Sequence, residues 1–396
     1  MQTGIANFDY YNPTRIVFGK NRLNELAELI PKDKKVLLLY GGGSVKKFGT
    51  LDKIKQVLKD YTVGEFGGIE ANPTYETLMK AVQLVRSEGY DFLLAIGGGS
   101  VIDGTKFVAA GALFDGDPID MFGQGVGAHR PIERALPFGT VLTLPATGSE
   151  MNSGGVVTFV SKKAKLGFGS AYTFPVFSIL DPELTYTLPK RQLANGVIDA
   201  FVHVMEQYMT YPVGALVQDR YAEGLLATLI EIGPKVIDET NHDYNLRANF
   251  MWAATNALNG SINRGVPGDW ASHSLGHEIT ALYGIDHGRT LAIVLPALLE
   301  VRKEQKFDKL LQYAERVWGI QEGSADEKVE FAIKKTGQFF ESLGAGTHFS
   351  DYDLGEEVVD VLVDQLEKHQ LTAISERGDQ TLAVSRQIYQ KALRPD

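Results

Sequence analysis

The chain of 396 residues contains no cysteine. Disulfides and thiolate ligands are thereby excluded, so any tightly held metal must be bound by His, Asp or Glu. Long apolar runs are missing too: Leu291 to Leu299 is about half the length a helix needs to cross a bilayer, and Pro296 interrupts it. No membrane span is expected. The first residues are polar or small, with Asp9 and Arg15 early, and lack the apolar core of a signal peptide, which makes the cytoplasm the default location. Positive charge is in deficit: 39 Lys and Arg face 49 Asp and Glu, a formal charge of -10. Nucleic acid and anionic membrane are therefore not expected as partners. Three motifs are also absent: the G-x-G-x-x-G fingerprint, the P-loop and H-E-x-x-H. A standard dinucleotide fingerprint, nucleotide triphosphate hydrolysis and metalloprotease chemistry have no support.

What is present divides into two textures. From Val36 to Leu144 short aliphatic runs alternate with helical patterns, as in a parallel sheet with crossover helices. Val36 to Tyr40, Phe92 to Ile96 and Thr140 to Leu144 read as strands. Asn72 and Pro73 read as an N-cap and first helical residue, with a helix from about Thr74 that Gly89 stops. A further helix is expected from about Ser100, and Pro145 to Glu150 reads as a loop. Beyond Leu188 the stretches Gln192 to Thr210, Val217 to Ile232, Asn245 to Leu258 and Val329 to Leu343 have helical periodicity. The expectation is an α/β dinucleotide-binding domain over 1–187 and a helical metal-binding domain over 188–396.

Two glycine clusters, Gly41, Gly42, Gly43, Ser44 and Gly97, Gly98, Gly99, Ser100, close predicted parallel strands. Open α/β sheets bind ligands at such ends, where the next helix offers free N–H groups to an anion. Either cluster alone could be a tight turn; two at equivalent places point to a pyrophosphate. Ser44, Lys46 and Lys47 follow the first, with no acidic residue immediately after the strand, which suits the 2′-phosphate of NADP better than the free ribose of NAD.

Of eight histidines, five lie between residues 203 and 287, and four of these, His203, His273, His277 and His287, stand out by their spacing. Asp199 and His203 are four apart in a helical stretch, and His273 and His277 repeat that spacing, so each pair shares a helix face. His287 follows a turn marked by Gly284 and Asp286. Imidazoles with a carboxylate suit a first-row divalent ion, which acts on carbonyls as a Lewis acid. Each pair could instead be an ordinary polar pair on a helix surface.

The segments Gly97-Gly-Gly-Ser-Val-Ile-Asp103-Gly-Thr-Lys106, Pro145-Ala-Thr-Gly-Ser-Glu150, Asp199-Ala-Phe-Val-His203, His273-Ser-Leu-Gly-His277 and His287-Gly-Arg-Thr resemble the iron-containing, or group III, alcohol dehydrogenases. Within that family they most resemble the bacterial NADPH-dependent aldehyde reductases of the butanol dehydrogenase branch, over nearly the whole chain. The resemblance implies a Rossmann-like parallel sheet followed by an all-helical domain, in a dehydroquinate synthase-like architecture with the active site in the cleft. It further implies that Asp199, His203, His273 and His287 hold Fe²⁺ or Zn²⁺, with His277 beside the substrate without ligating; its imidazole either relays a proton or only orients the site. Gly41 to Ser44 would hold the adenosine end, Gly97, Gly98, Gly99, Ser100 and Asp103 the pyrophosphate and its surroundings. Thr143, Thr147 and Lys165 would face the nicotinamide side, with Asn72 also in the cofactor set. Where many members carry a Thr-rich run before Gly-Ser-Glu, this chain has Leu144-Pro-Ala-Thr147. The implied activity is reduction of small, butanal-like aldehydes by NADPH in a homodimer. The rivals are a polyol dehydrogenase or a dehydroquinate synthase-like lyase of the same superfamily, and a non-catalytic NADP-binding sensor.

Overall fold

A computed structural model describes residues 3–394. The strands in chain order are β1 (Arg15–Phe18), β2 (Lys35–Tyr40), β3 (Thr62–Phe66), β4 (Phe92–Gly98), β5 (Phe138–Leu144), β6 (Gly154–Phe159), β7 (Ala164–Gly169) and β8 (Phe177–Leu180). Six of them form one parallel sheet in the order β1-β8-β5-β4-β2-β3. Parallel sheets are covered on both faces, which is why β2 and β4 read as unbroken aliphatic runs. Alternation then sorts each run between two cores. Leu37, Leu39, Leu93 and Ala95 pack with Leu78, Val82, Ile102 and Phe107, while Val36, Leu38, Leu94 and Ile96 pack with Leu26, Leu51 and Ile54.

The helices between these strands are α1 (Leu26–Leu29), α2 (Ser44–Lys47), α3 (Thr50–Val57), α4 (Tyr75–Glu88) and α5 (Gly99–Leu113). Both glycine clusters sit where expected, at the carboxyl ends of β2 and β4. One local reading is overturned: the N-cap of α4 is Thr74, whose hydroxyl accepts from the Thr77 N–H, and not Asn72. Pro73 precedes the cap instead of opening the helix, which leaves the Asn72 side chain for other contacts. The antiparallel hairpin of β6 and β7, which the sequence did not announce, packs Val157, Phe159, Leu166 and Phe168 into the core beside α5.

Contacts divide the described residues into two units. One is Tyr11–Leu188 with His242–Thr255; the other is Pro189–Asn241 with the chain from Asn256 onward and the residues before Tyr11. The second contains α6 (Lys190–Tyr208) and α7 (Leu216–Val236), the last residues of α8 (Tyr244–Ala257), then α9 (Ala271–Tyr283) and α10 (His287–Val301). It continues with α11 (Phe307–Arg316), α12 (Ala325–Ser342), α13 (Glu357–Lys368) and α14 (Leu382–Lys391). A ribbon of β9 (Ala373–Ile374) and β10 (Gln380–Thr381) is a small addition to this helical architecture. From Leu193 to Tyr208 every residue of α6 is buried, so this helix runs through the middle of its unit. Its polar residues Asn195, Asp199, His203 and Glu206 recur at helical spacing and form one stripe.

Candidate functional site

The stripe on α6 meets the first turns of α9 and α10. Asp199 Oδ1 lies 3.6 Å from His203 Nδ1, 3.8 Å from His273 Nε2 and 3.6 Å from His287 Nε2. Two donors each about 2.1 Å from one ion at a tetrahedral angle stand about 3.4 Å apart, so the spacing is that of a first-row metal site within a few tenths of an ångström. Asp199, His203 and His273 are all buried, which excludes the reading of these residues as helix-surface polar pairs. His273 Nε2 is buried without a hydrogen bond, so no protein group competes with a cation for it once its proton is displaced. Asp199, His203 and His273, whose ligand atoms all lie within 4.8 Å of one another, therefore fit a divalent ion of the kind the resemblance implies, and His287 faces the same carboxylate oxygen from α10.

Burial pulls the pKa of His273 down, but the nearby carboxylates of Asp199 and Glu206 outweigh it and raise the pKa to about 9. Around neutral pH the ring of the metal-free protein thus holds a proton that a cation must displace. His287 is brought in by its own turn. Asp286, the residue before it, accepts from Arg191 Nε at 2.6 Å and Asn195 Nδ2 at 2.9 Å, which fastens the start of α10 to α6. A Cβ on Gly288 would stand 2.7 Å from the Asn195 carbonyl oxygen, so only glycine allows this approach. His277, half-buried one turn beyond His273, has its ring centroid 5.1 Å from that of His287, and both His277 and His287 lie outside the tight group of Asp199, His203 and His273.

The residues expected to bind a nucleotide cluster at the carboxyl ends of the central strands. The backbone of Gly99 opens α5, and a Cβ there would lie 2.3 Å from Thr147 Oγ1, so the glycine lets the Thr147 loop close against the helix. Ser100 donates to the Ala71 carbonyl, and Lys165 Nζ donates to Asn72 Oδ1 at 3.1 Å. Asn72, Ser100 and Lys165 are thus gathered around one short segment. Thr143 is half-buried near the end of β5, and Gly41 to Ser44 leave the end of β2 with Gly42 and Ser44 exposed. Lys46 Nζ lies 4.9 Å from the Tyr40 ring centroid, which parks its charge beside that strand end. Both oxygens of Asp103 are occupied: Oδ1 accepts from Ser149 Oγ at 2.5 Å and Oδ2 from Val156 N at 2.9 Å.

Reasoning from the sequence missed two sets of residues. Glu206 accepts from the backbone N and Nδ1 of His273, at 2.9 and 3.1 Å. It continues the face that carries Asp199 and His203, a signal present in the spacing. The second set is Lys106 and Glu150. Lys106 is fully buried and donates to Ser149 Oγ, Asn152 Oδ1 and the Gly154 carbonyl at 2.8, 3.0 and 2.6 Å. Burial lowers its pKa to about 8, against the opposing pull of Asp103 and Glu150. Glu150 is buried with Oε1 accepting from Thr255 Oγ1 at 2.6 Å, and burial pushes its carboxyl up.

The sequence family described as iron-containing alcohol dehydrogenase matches residues 13–182, and the C-terminal part of the Fe-containing alcohol dehydrogenase family matches 193–385. The chain belongs to the iron-containing alcohol dehydrogenase family. It is an oxidoreductase of that family, 56% identical over 386 residues to the NADPH-dependent aldehyde reductase YqhD of Escherichia coli, covering 98% of this chain and 99% of that protein. A probable NADH-dependent butanol dehydrogenase of Bacillus subtilis is 44% identical, with 91% and 93% covered. The crystal structure of E. coli YqhD superposes with a TM-score of 0.96 at 55% identity, covering 99% of this chain and 100% of that one. That of an NADH-dependent butanol dehydrogenase A from Thermotoga maritima superposes at 0.91 and 34%, covering 99% and 100%. The family's helical architecture behind a parallel sheet is the one described above. Among the described residues, no helix is long and apolar enough to cross a membrane.

Proposed function

We propose that this member of the family is a divalent-metal-dependent, NADPH-linked alcohol dehydrogenase working mainly as a reductase of small aldehydes: R-CHO + NADPH + H⁺ to R-CH₂OH + NADP⁺. The observation that carries the reading is the convergence of three imidazoles on the buried carboxylate of Asp199. In the division proposed, residues 188–396 hold Fe²⁺ or Zn²⁺ through Asp199, His203, His273 and His287, and residues 1–187 hold the nucleotide. Once bound, the ion supplies Lewis acidity toward a carbonyl oxygen, and the nicotinamide supplies hydride.

The chain's own contributions follow from its side chains. The N–H groups that open α5 at Gly99 and Ser100 point their partial positive charge toward a pyrophosphate, with Gly97 and Gly98 leading the backbone into it. Asp103 keeps the surrounding loop in place through Ser149 and Val156. Asn72 orients Lys165, and these with Thr143 and Thr147 serve the nicotinamide side. Gly41, Gly42, Gly43 and Ser44 take the adenosine end, and Lys46 and Lys47 favour a 2′-phosphate. His277 passes a proton from a ring nitrogen to the alcohol oxygen as a general acid. The protein works as a homodimer in the cytoplasm.

Relatives named for NADH as well as for NADPH make cofactor choice the point to test. Butanal and the purified protein are mixed with NADPH or NADH, and the loss of the reduced-nicotinamide absorbance is followed. Faster turnover with NADPH, giving butanol, is expected. A preference for NADH would overturn the cofactor choice, and no turnover with either would overturn aldehyde reduction in favour of a lyase or a sensor.

A further inference from the structure

We infer that Glu206 is the positioning residue of the metal centre, fixing both the ring of His273 and the turn from which α9 starts; the inference rests on the metal reading above. Glu206 stands one turn beyond His203 on the polar stripe of α6 and is buried. Its Oε1 accepts from the backbone N of His273 at 2.9 Å and engages Nδ1 of the same residue at 3.1 Å. With a proton on Nδ1 and shared with the carboxylate, the lone pair of the neutral ring is left on Nε2, the nitrogen 3.8 Å from Asp199. A carboxylate behind a metal-binding imidazole sets its tautomer and orientation and strengthens it as a ligand.

The backbone of Glu206 does a second job. Its carbonyl accepts from Asp269 N at 2.8 Å, four residues before His273. Between these two attachments lies Trp270, with φ of 62°. A bulky residue in the left-handed region is strained and persists only where its surroundings over-determine it. Here Glu206 holds the chain on both sides of the strained residue. The side chain of Asp269 adds a third anchor, 2.8 Å from Lys306 Nζ, which also reaches Glu376 at 3.1 Å and the Met209 carbonyl at 2.7 Å. The turn so held lays the Trp270 indole against the metal-binding rings, 5.6 Å from His273 and 6.4 Å from His203 between centroids. One glutamate thereby couples the tautomer of a ligand to the backbone that presents it.

The test compares wild type with Glu206→Gln and Glu206→Leu. Zn²⁺ affinity is measured by competition with a chromophoric chelator, and the visible absorption of the Co²⁺-loaded proteins reports ligand geometry. NADPH binding checks that the α/β unit is intact. Glu206→Gln should lose about 10–100-fold in Zn²⁺ affinity, with a changed Co²⁺ spectrum and unchanged NADPH binding. Glu206→Leu should lose more; if it does not fold, the near-isosteric Gln variant still decides. An affinity within about twofold of wild type with an unaltered Co²⁺ spectrum in Glu206→Gln would overturn the inference and leave the metal reading standing. Failure of wild type to take up either ion would overturn the metal reading itself.

Discussion

In the α/β unit the carboxyl groups of Asp103 and Glu150 are held around the buried ammonium of Lys106, whereas in the helical unit Asp199 is buried among His203, His273 and His287. Both clusters remove ionisable groups from water, which is costly unless the charge is matched and the hydrogen bonds are made. The first is matched from within, because Lys106 brings its own positive charge and spends its three protons on Ser149, Asn152 and Gly154. In the second the positive charge is the proton held on His273, which a cation arriving from solution would displace. The first therefore braces a loop, and the second is the proposed ion site.

The largest effect should come from removing a ligand. Asp199→Ala or His273→Ala should lower kcat/KM for butanal by more than about a hundredfold, beyond the usual cost of removing a group behind a ligand. Metal analysis of the same samples should show the ion gone while urea unfolding of the α/β unit is unchanged. Lys106→Met probes the other cluster: it leaves two buried carboxyl groups without their ammonium and should cost about 3 kcal/mol in urea denaturation. A neutral result there would erase the distinction between brace and site.

The pH response sharpens it further. The pKa of His273 is raised to about 9 from its ordinary 6.5, so in the metal-free protein the folded state binds the extra proton between these values. That contribution to stability is complete below about 6.5 and lost as pH rises through about 9. Metal must displace the same proton, so Zn²⁺ affinity should rise by about tenfold per pH unit across this window, measured with competing chelators. The smallest effect is at the nucleotide end. Lys46→Ala with Lys47→Ala should raise KM for NADPH by about tenfold or less and leave KM for NADH alone, as exposed charge pairs are weak.

The cluster of Asp199, His203 and His273 was legible because His is scarce in this chain and because Asp199/His203 and His273/His277 repeat a helical step. The central strands were legible because a sheet covered on both faces demands aliphatic runs such as Val36 to Leu39. Glu206 was not, since glutamate is common in helices and only burial distinguishes this one. Likewise Asn72 before Pro73 imitates a helix start, yet the hydroxyl of Thr74 is what reaches the free N–H groups of α4. The β6–β7 hairpin was hidden by its glycines, Gly154, Gly155, Gly167 and Gly169, which blur the alternation of a strand. That His242–Thr255 makes its contacts with the α/β unit is a property of the folded chain with no counterpart in local pattern.

The cluster around Asp199 should take a divalent ion, and turnover should depend on it. Protein stripped by a chelator is titrated with Zn²⁺ or Fe²⁺ while NADPH oxidation by butanal is recorded. Activity should rise in proportion to added metal, level off at one ion per chain, and stay at baseline in His273→Ala. Equal turnover in stripped and loaded protein would contradict the claim.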